Sequence, residues 1–268
     1  MTTEPAGPVN PESRHQPRVD VVIPVLNEAH VLEKSVETAR ACFHEHLPWA
    51  WRIIVVDNGS NDGTDRVARQ LQAKYPHEVS FLQLEQRGRG RALRYAWTQS
   101  DADVVAYTDV DLSTELAALP KLVRAVLEEG YDLGTGSRLL PDSKTVRSFK
   151  REVISRAYNL IVKAILWTSF SDAQCGFKVV SRRVVHEIVP EIVDQSWFFD
   201  TELLVLAQKR GYRLKDLPVQ WIEDDDSRVK IVKTAVEDLK GVARLRWKLW
   251  KEALISPERP AVAVSRRT

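Results

Sequence analysis

WRIIVVDNGSNDGTDRVARQLQAKY, residues 51–75, contains one full step of the fold: a β-branched run, a turn rich in Asn, Asp and Gly, and an amphipathic helical pattern. After Arg52, IIVV is continuously apolar, as in strands buried on both faces, and such strands belong to parallel sheets covered by helices. The same step recurs on either side. VDVVIPVL precedes EAHVLEKSVETARACF, and VSFLQLE precedes GRALRYAWTQS, which leads into DVVAYTD. Strands alternating with helices predict right-handed crossovers and an α/β fold with a mostly parallel central sheet. Ligands of such sheets bind beyond the carboxyl ends of the strands, which puts residues 24–28, 57–63 and 109–113 on one rim.

At 268 residues and 44% hydrophobic content, the chain supports one sizeable core. A net charge of +2 argues against a general polyanion binder, so no nucleic-acid partner is expected and basic patches are local. Cys42 and Cys175 make no disulfide framework, which fits a reducing cytosol. Residues 1–17 and 256–268 are polar and proline-rich and are expected to be disordered tails around a domain spanning 18–240. GVARLRWKLWKEALI, residues 241–255, reads as a basic amphipathic helix, with Val242, Leu245, Leu249, Trp250 and Ala253 on one side and Arg244, Lys248 and Lys251 opposite. That pattern describes both a helix packed on the domain and a peripheral membrane contact. No stretch reaches the roughly 20 apolar residues that span a bilayer.

DNGSNDGT, from Asp57, permits close backbone approach to a ligand, and it equally describes a tight turn in which Asp62 or Thr64 caps the next helix. RGRGRAL, from Arg87, places cations and glycines at a helix start, where backbone N–H groups favour phosphate; an ordinary solvated charge run has the same composition. Asp109 and Asp111, at i and i+2 after a buried strand, share one face in extended backbone. Two close carboxylates repel unless a proton or cation lies between them, and oxygen donors beside a diphosphate suit Mg²⁺ or Mn²⁺. Loop solvation or a helix cap is the alternative. Arg138, Arg147 and Arg151, near Ser137 and Ser155, match bidentate phosphate binding or a solvated basic helix face.

Taken in order, VVIPVLNE, VVDNGSNDGT, RGRGRAL, TDVDLS, GSR, DAQCGFK and WFFDTELL resemble glycosyltransferase family 2, and within it the polyprenyl-phosphate (dolichyl-phosphate) sugar synthases. The last two stretches look most like the dolichyl-phosphate β-glucosyltransferases. The resemblance implies a GT-A fold, a nucleotide-diphosphate sugar donor with UDP-glucose favoured over GDP-mannose, a divalent metal, and inversion at the anomeric carbon. By position, Pro24, Asn27, Glu28 and Asp57 would hold base and ribose. Asp109 and Asp111 would meet metal and diphosphate, with Ser113 as a further metal contact. Arg89 stands where relatives carry a lysine. Arg138, Arg151 and Ser155 match residues that receive the lipid phosphate, and Asp172, Gln174 and Asp200 fall in the sugar pocket.

The expected protein is therefore a peripheral enzyme on the cytoplasmic face of a membrane, with a homo-oligomer left open. A phosphate acceptor needs no general base, whereas a glycan hydroxyl acceptor requires Asp172 or Asp200 to take its proton. A catalytically inactive nucleotide-sugar binding module is the non-enzyme alternative.

Overall fold

Alternate residues of the central strands part to opposite faces of a sheet and build two cores. Val19, Val21, Ile23, Ile53, Val55, Val104 and Ala106 pack into one, while Val22, Ile54, Val56, Val105 and Tyr107 pack into the other. The structure, a computed structural model, describes residues 16–222 and 231–255. The tails expected at 1–17 and 256–268 lie outside the described residues, save for residues 16 and 17.

The first half follows the expected alternation: β1 (Arg18–Val25), α1 (Leu32–His46), β2 (Ala50–Asn58), α2 (Thr64–Lys74), β3 (Val79–Leu84), α3 (Arg89–Gln99) and β4 (Val104–Thr108). Then come α4 (Leu119–Leu127), β5 (Leu133–Ser137), β6 (Lys144–Val146), α5 (Phe149–Leu166), β7 (Phe177–Ser181) and α6 (Arg182–Glu187). The described chain ends with α7 (Phe199–Lys209), β8 (Leu214–Pro218), β9 (Gln220–Ile222) and α8 (Ile231–Ile255). The run read as one strand, RLKDLPVQWI, is split: β8 pairs with β5 and β9 with β6. Pro218 has no N–H for a continuing ladder.

The main sheet runs β3-β2-β1-β4-β7-β5-β8, parallel except for β7, which is antiparallel to both neighbours. From β1 the chain builds outward through β2 and β3, then returns to the other side of β1 with β4. That reversal opens a crevice at the carboxyl ends of β1 and β4, the place where such sheets bind ligands. The three predicted rim segments converge there.

α8 begins at Ile231 rather than at Gly241, and Gly241 lies in its interior. A Cβ at Gly241 would stand 2.5 Å from the Phe198 ring, so glycine permits the close approach of helix and core. Val242 and Leu245 are buried and Leu249 packs against the same core, as the apolar stripe predicts. Arg244 and Lys248, expected on the outer face, instead reach back. Arg244 donates to the buried carboxylate of Glu202 at 3.0 and 2.9 Å, and Lys248 to Glu191. Among the described residues no helix is long and apolar enough to cross a membrane.

In a solvated helix, glycine to alanine gains about 1 kcal/mol. At Gly241 the added methyl meets Phe198, and overpacking costs about 1–3 kcal/mol. Gly241→Ala is thus expected to lower stability, read as a reduced midpoint in urea unfolding.

Candidate active site

The loops after β1, β2 and β3 are tied into one unit. Asn27, at φ 59°, donates its backbone N–H to Ser60 Oγ (2.8 Å) and accepts at Oδ1 from Asn61 N (2.9 Å). Glu28 N donates to Thr64 Oγ1 (2.9 Å). Asn58 Nδ2 donates to Val25 O (2.8 Å), and its Oδ1 accepts from Gly88 N (3.1 Å). Pro24 is buried in β1 opposite Val56 and supports this cradle from beneath. Asp62 closes the turn into α2 by accepting from Thr64 N at 3.0 Å. Turn closure and cradle therefore coexist.

Asp57 is fully buried within the unit, directly across from Val25. Its Oδ1 accepts from Ser60 N at 3.0 Å, and its Oδ2 has no hydrogen-bond partner. Leaving a buried acceptor unpaired costs about 1–3 kcal/mol, a cost that an N–H or O–H of a bound ligand removes.

At the other side of the crevice, the β4–β7 ladder pairs Thr108 with Phe177. One step further Asp109 meets Gly176, where a Cβ would lie 1.8 Å from Asp109 Oδ2. Only glycine fits. Arg89, the first residue of α3, donates to Asp109 Oδ1 from Nε (3.2 Å) and Nη2 (2.8 Å), and to Asp200 Oδ2 from Nη1 (2.5 Å). Asp200 Oδ1 accepts from the Tyr107 hydroxyl at 2.5 Å and lies 3.3 Å from Lys178 Nζ. Burial pushes the Tyr107 phenol well above its usual pKa, so it stays a donor. Burial also pushes Asp200 up, but the charges of Lys178 and Arg89 outweigh it and hold the carboxyl below its usual value.

Asp109 is 41% exposed at its side chain and opens to the crevice. Asp111 accepts at Oδ1 from Ser113 N (3.0 Å), with Leu112 between them at φ 52°. Carboxylate and hydroxyl oxygens from Asp109, Asp111 and Ser113 suit Mg²⁺ or Mn²⁺. Among the described residues no group of three or more His, Cys, Asp or Glu could hold a metal ion, so these oxygens alone would leave part of a cation's shell to other ligands.

The start of α3 differs from expectation. Gly90 N and Arg91 N donate to Ser196 O (3.2 Å) and Gln195 O (3.0 Å). The first-turn N–H groups expected to receive phosphate thus hold the loop before α7, and Arg89 is directed at carboxylates.

After β5, Arg138 grips Asp172 from Nε (2.7 Å) and Nη2 (3.0 Å), and its backbone N adds a third bond at 3.1 Å. Burial raises the Asp172 carboxyl, yet Arg138 outweighs it and holds the pKa at about 2. Arg147 is ion-paired with Glu152. Arg138 and Arg147, expected to receive acceptor phosphate, are therefore committed to carboxylates. Asp172 and Asp200, expected as bases for a hydroxyl, have both oxygens occupied. The physical reason is the same in each case: a desolvated carboxylate is held charged by a hydrogen-bonded cation.

Ser155 lies one turn after Arg151 on α5, and its buried Oγ has no hydrogen-bond partner. Gln174 Nε2 donates to Asp238 Oδ2 of α8 at 2.6 Å. Asp238 is 2% exposed, with Oδ1 unpartnered, and burial first, then Asp194, Glu237 and Asp200, raise its pKa to about 7. Sequence reasoning missed Tyr107, Lys178, Trp197 and Asp238. The first three lie inside or beside quoted motifs, and Trp197, 40% exposed, has the Arg89 guanidinium 5.3 Å from its ring centre.

Comparison with known proteins adds the following. Residues 20–189 match the family described as Glycosyl transferase family 2. Glycosyltransferase AglD of Haloferax volcanii is 35% identical over 240 residues, covering 89% of this chain and 38% of that protein. The chain thus spans well under half of that relative. Dolichyl-phosphate beta-glucosyltransferase of Dictyostelium discoideum is 29% identical over 249 residues, covering 87% of this chain and 76% of that protein. Among solved structures, glucosyl-3-phosphoglycerate synthase from Mycobacterium tuberculosis with UDP superposes with a TM-score of 0.65 at 19% identity, covering 87% and 80% of the two chains. Mannosyltransferase PcManGT from Pyrobaculum calidifontis, with GDP-Man and Mn²⁺, gives 0.52 at 17% identity, covering 95% and 80%. The fold is GT-A, a mostly parallel sheet flanked by helices.

Arg89→Met strips a cation from buried Asp200 and is expected to cost about 3–5 kcal/mol in urea unfolding, with Arg89→Lys costing less. Asp238 gives an opposite-signed test. Its carboxyl, raised from the ordinary aspartate value of 3.8 to about 7, keeps its proton in the fold while the unfolded chain has lost it. Stability contributed by Asp238 therefore falls as pH rises through that window. Asp238→Asn should remove this dependence and be more stable than the parent at pH 8, measured by unfolding at pH 5 and 8.

Proposed function

We propose the following reaction for this chain, which belongs to glycosyltransferase family 2: transfer of glucose from UDP-glucose to a polyprenyl (dolichyl) phosphate, with inversion, at a membrane surface. The observation that carries the phosphate acceptor is the occupation of Asp172 and Asp200. Each carboxylate has cationic donors on both oxygens or on one oxygen with Tyr107 beside it, so neither offers a base to a sugar hydroxyl. A phosphate monoester, with a second pKa of about 6, arrives already anionic.

The unpaired Oδ2 of Asp57 would accept from the base or a ribose hydroxyl, with Asn27 and Glu28 shaping the cradle. Asp109, Asp111 and Ser113 would hold Mg²⁺ or Mn²⁺, which when bound neutralises charge on the diphosphate leaving group. Arg151 and Ser155 would orient the acceptor phosphate, a gain in positioning rather than in proton transfer. Gln174, whose amide N–H₂ donates to Asp238, would use its carbonyl oxygen as an acceptor for a sugar hydroxyl. The acceptor oxygen attacks the anomeric carbon opposite the diphosphate, the C–O bond to the diphosphate breaks, and UDP leaves with the electron pair. Exposed Trp247, Trp250 and Leu254 on α8 support contact with lipid.

Radiolabelled UDP-glucose and GDP-mannose, each with Mn²⁺ and polyprenyl phosphate, decide the reading. Lipid-linked glucose is expected from UDP-glucose, with GDP-mannose at least about tenfold poorer, and Asp111→Asn should lower kcat by about 10²–10³. Donor binding without transfer to any acceptor overturns the enzyme reading.

A further inference from the structure

α5 and α8 leave the sugar loop side by side. Asn159 of α5 accepts from Ala173 N at 2.8 Å, and Asp238 of α8 accepts from the Gln174 amide. From these two anchor points each helix runs on toward its C-terminus, α5 to Ile165 and α8 to Trp250. At 1.5 Å per residue, Trp250 lies roughly 18 Å along α8 from Asp238. Between the helices is a groove of about 360 Å³ lined by Ile165, Leu239, Val242, Ala243, Trp247 and Trp250, with Arg246 as its one charged lining residue. Arg246 stacks over exposed Trp167 at 4.2 Å, and the Trp247 and Trp250 rings lie 4.9 Å apart.

We propose that this groove receives the isoprenoid chain of the acceptor lipid, the units nearest the phosphate lying toward Leu239 and the chain leaving past the tryptophan pair. The proposal rests on the polyprenyl phosphate reading and assigns that lipid's tail a site of its own. Continuity is the first argument: the inner end of the groove is the residue next to Asp238, which is bonded to the sugar loop. Shape is the second. An apolar groove of this volume falls in the range of small-ligand pockets. The third is chemistry, since the lining is almost wholly apolar and offers almost no polar group to a peptide or sugar, as an isoprenoid chain requires.

The test uses the full chain with UDP-glucose and Mn²⁺ in buffer free of detergent and vesicles. Farnesyl phosphate and dimethylallyl phosphate, which share the phosphate and differ in chain length, serve as acceptors. Farnesyl phosphate is expected to have at least a tenfold higher kcat/KM. Ala243→Trp, which fills the exposed groove floor, should erase that advantage and leave turnover of dimethylallyl phosphate unchanged; Trp247→Ala, which removes a wall, should reduce the advantage. Equilibrium dialysis with radiolabelled farnesol, which lacks the phosphate, reads the groove independently of the reaction. Farnesol bound by the parent and not by Ala243→Trp supports the groove even when no prenyl phosphate is glucosylated, in which case the reaction reading alone has failed. A chain-length advantage that survives in Ala243→Trp overturns the proposal. So does chain dependence seen only with phospholipid vesicles, which assigns the face to the bilayer, or a dimer in sedimentation that Ala243→Trp dissociates.

Discussion

One guanidinium, that of Arg89, is shared between two carboxylates from distant parts of the chain, Asp109 at the end of β4 and Asp200 in α7. The arrangement is nearly charge-balanced: Arg89 and Lys178 face Asp109 and Asp200, with the Tyr107 hydroxyl completing the set. Its inner end is dry and its outer end wet, because Asp200 is buried while Asp109 opens to the crevice. A lysine ammonium at position 89 is a point charge, whereas the planar fork holds both carboxylates in fixed directions. Asp109 is thereby presented with one oxygen restrained and the other packed over Gly176, so its orientation is set before any ligand binds.

The alternation of strand and helix was legible because β1, β2 and β4 are buried on both faces and leave continuous apolar runs. The position of β7 was not. FKVVS reads as a strand, but nothing local says that it lies antiparallel between β4 and β5, and that insertion is what brings Gly176 and Lys178 to Asp109 and Asp200. Residue types at the rim were legible for the same reason that their partners were hidden. Arg138 and Asp172 are 34 positions apart, and an arginine suited to phosphate is equally suited to a buried carboxylate. Gly241 reads as a helix boundary from its sequence because glycine lowers helix propensity; only the Phe198 ring against it explains why it sits mid-helix.

Closing Asp172 with Arg138 has consequences beyond that pair. Asp172 also accepts from Gln174 N at 3.1 Å, so the ion pair fixes the loop whose next residues carry the Gln174 amide and the glycine beside Asp109. Arg138 thus braces Gln174 and Gly176 through the loop. The Ser155 hydroxyl, one helical turn after Arg151, is left buried with no hydrogen-bond partner.

α8 has two faces whose demands conflict if the helix is asked to enter a bilayer. Its inner face buries Val242 and Leu245, each stabilising by about 1.5–3 kcal/mol, and neutralises Glu202 through Arg244. Lifting the helix would uncover both side chains and leave Glu202 charged and without Arg244, a loss of about 3–5 kcal/mol for the broken pair. It would also release Gln174 from Asp238 and so loosen the loop that leads to Gly176. Immersion of Trp247 and Trp250 needs none of this, since both rings already face outward. A docked α8 is therefore the lower-energy arrangement, and only its outer face is left for contact with any apolar partner.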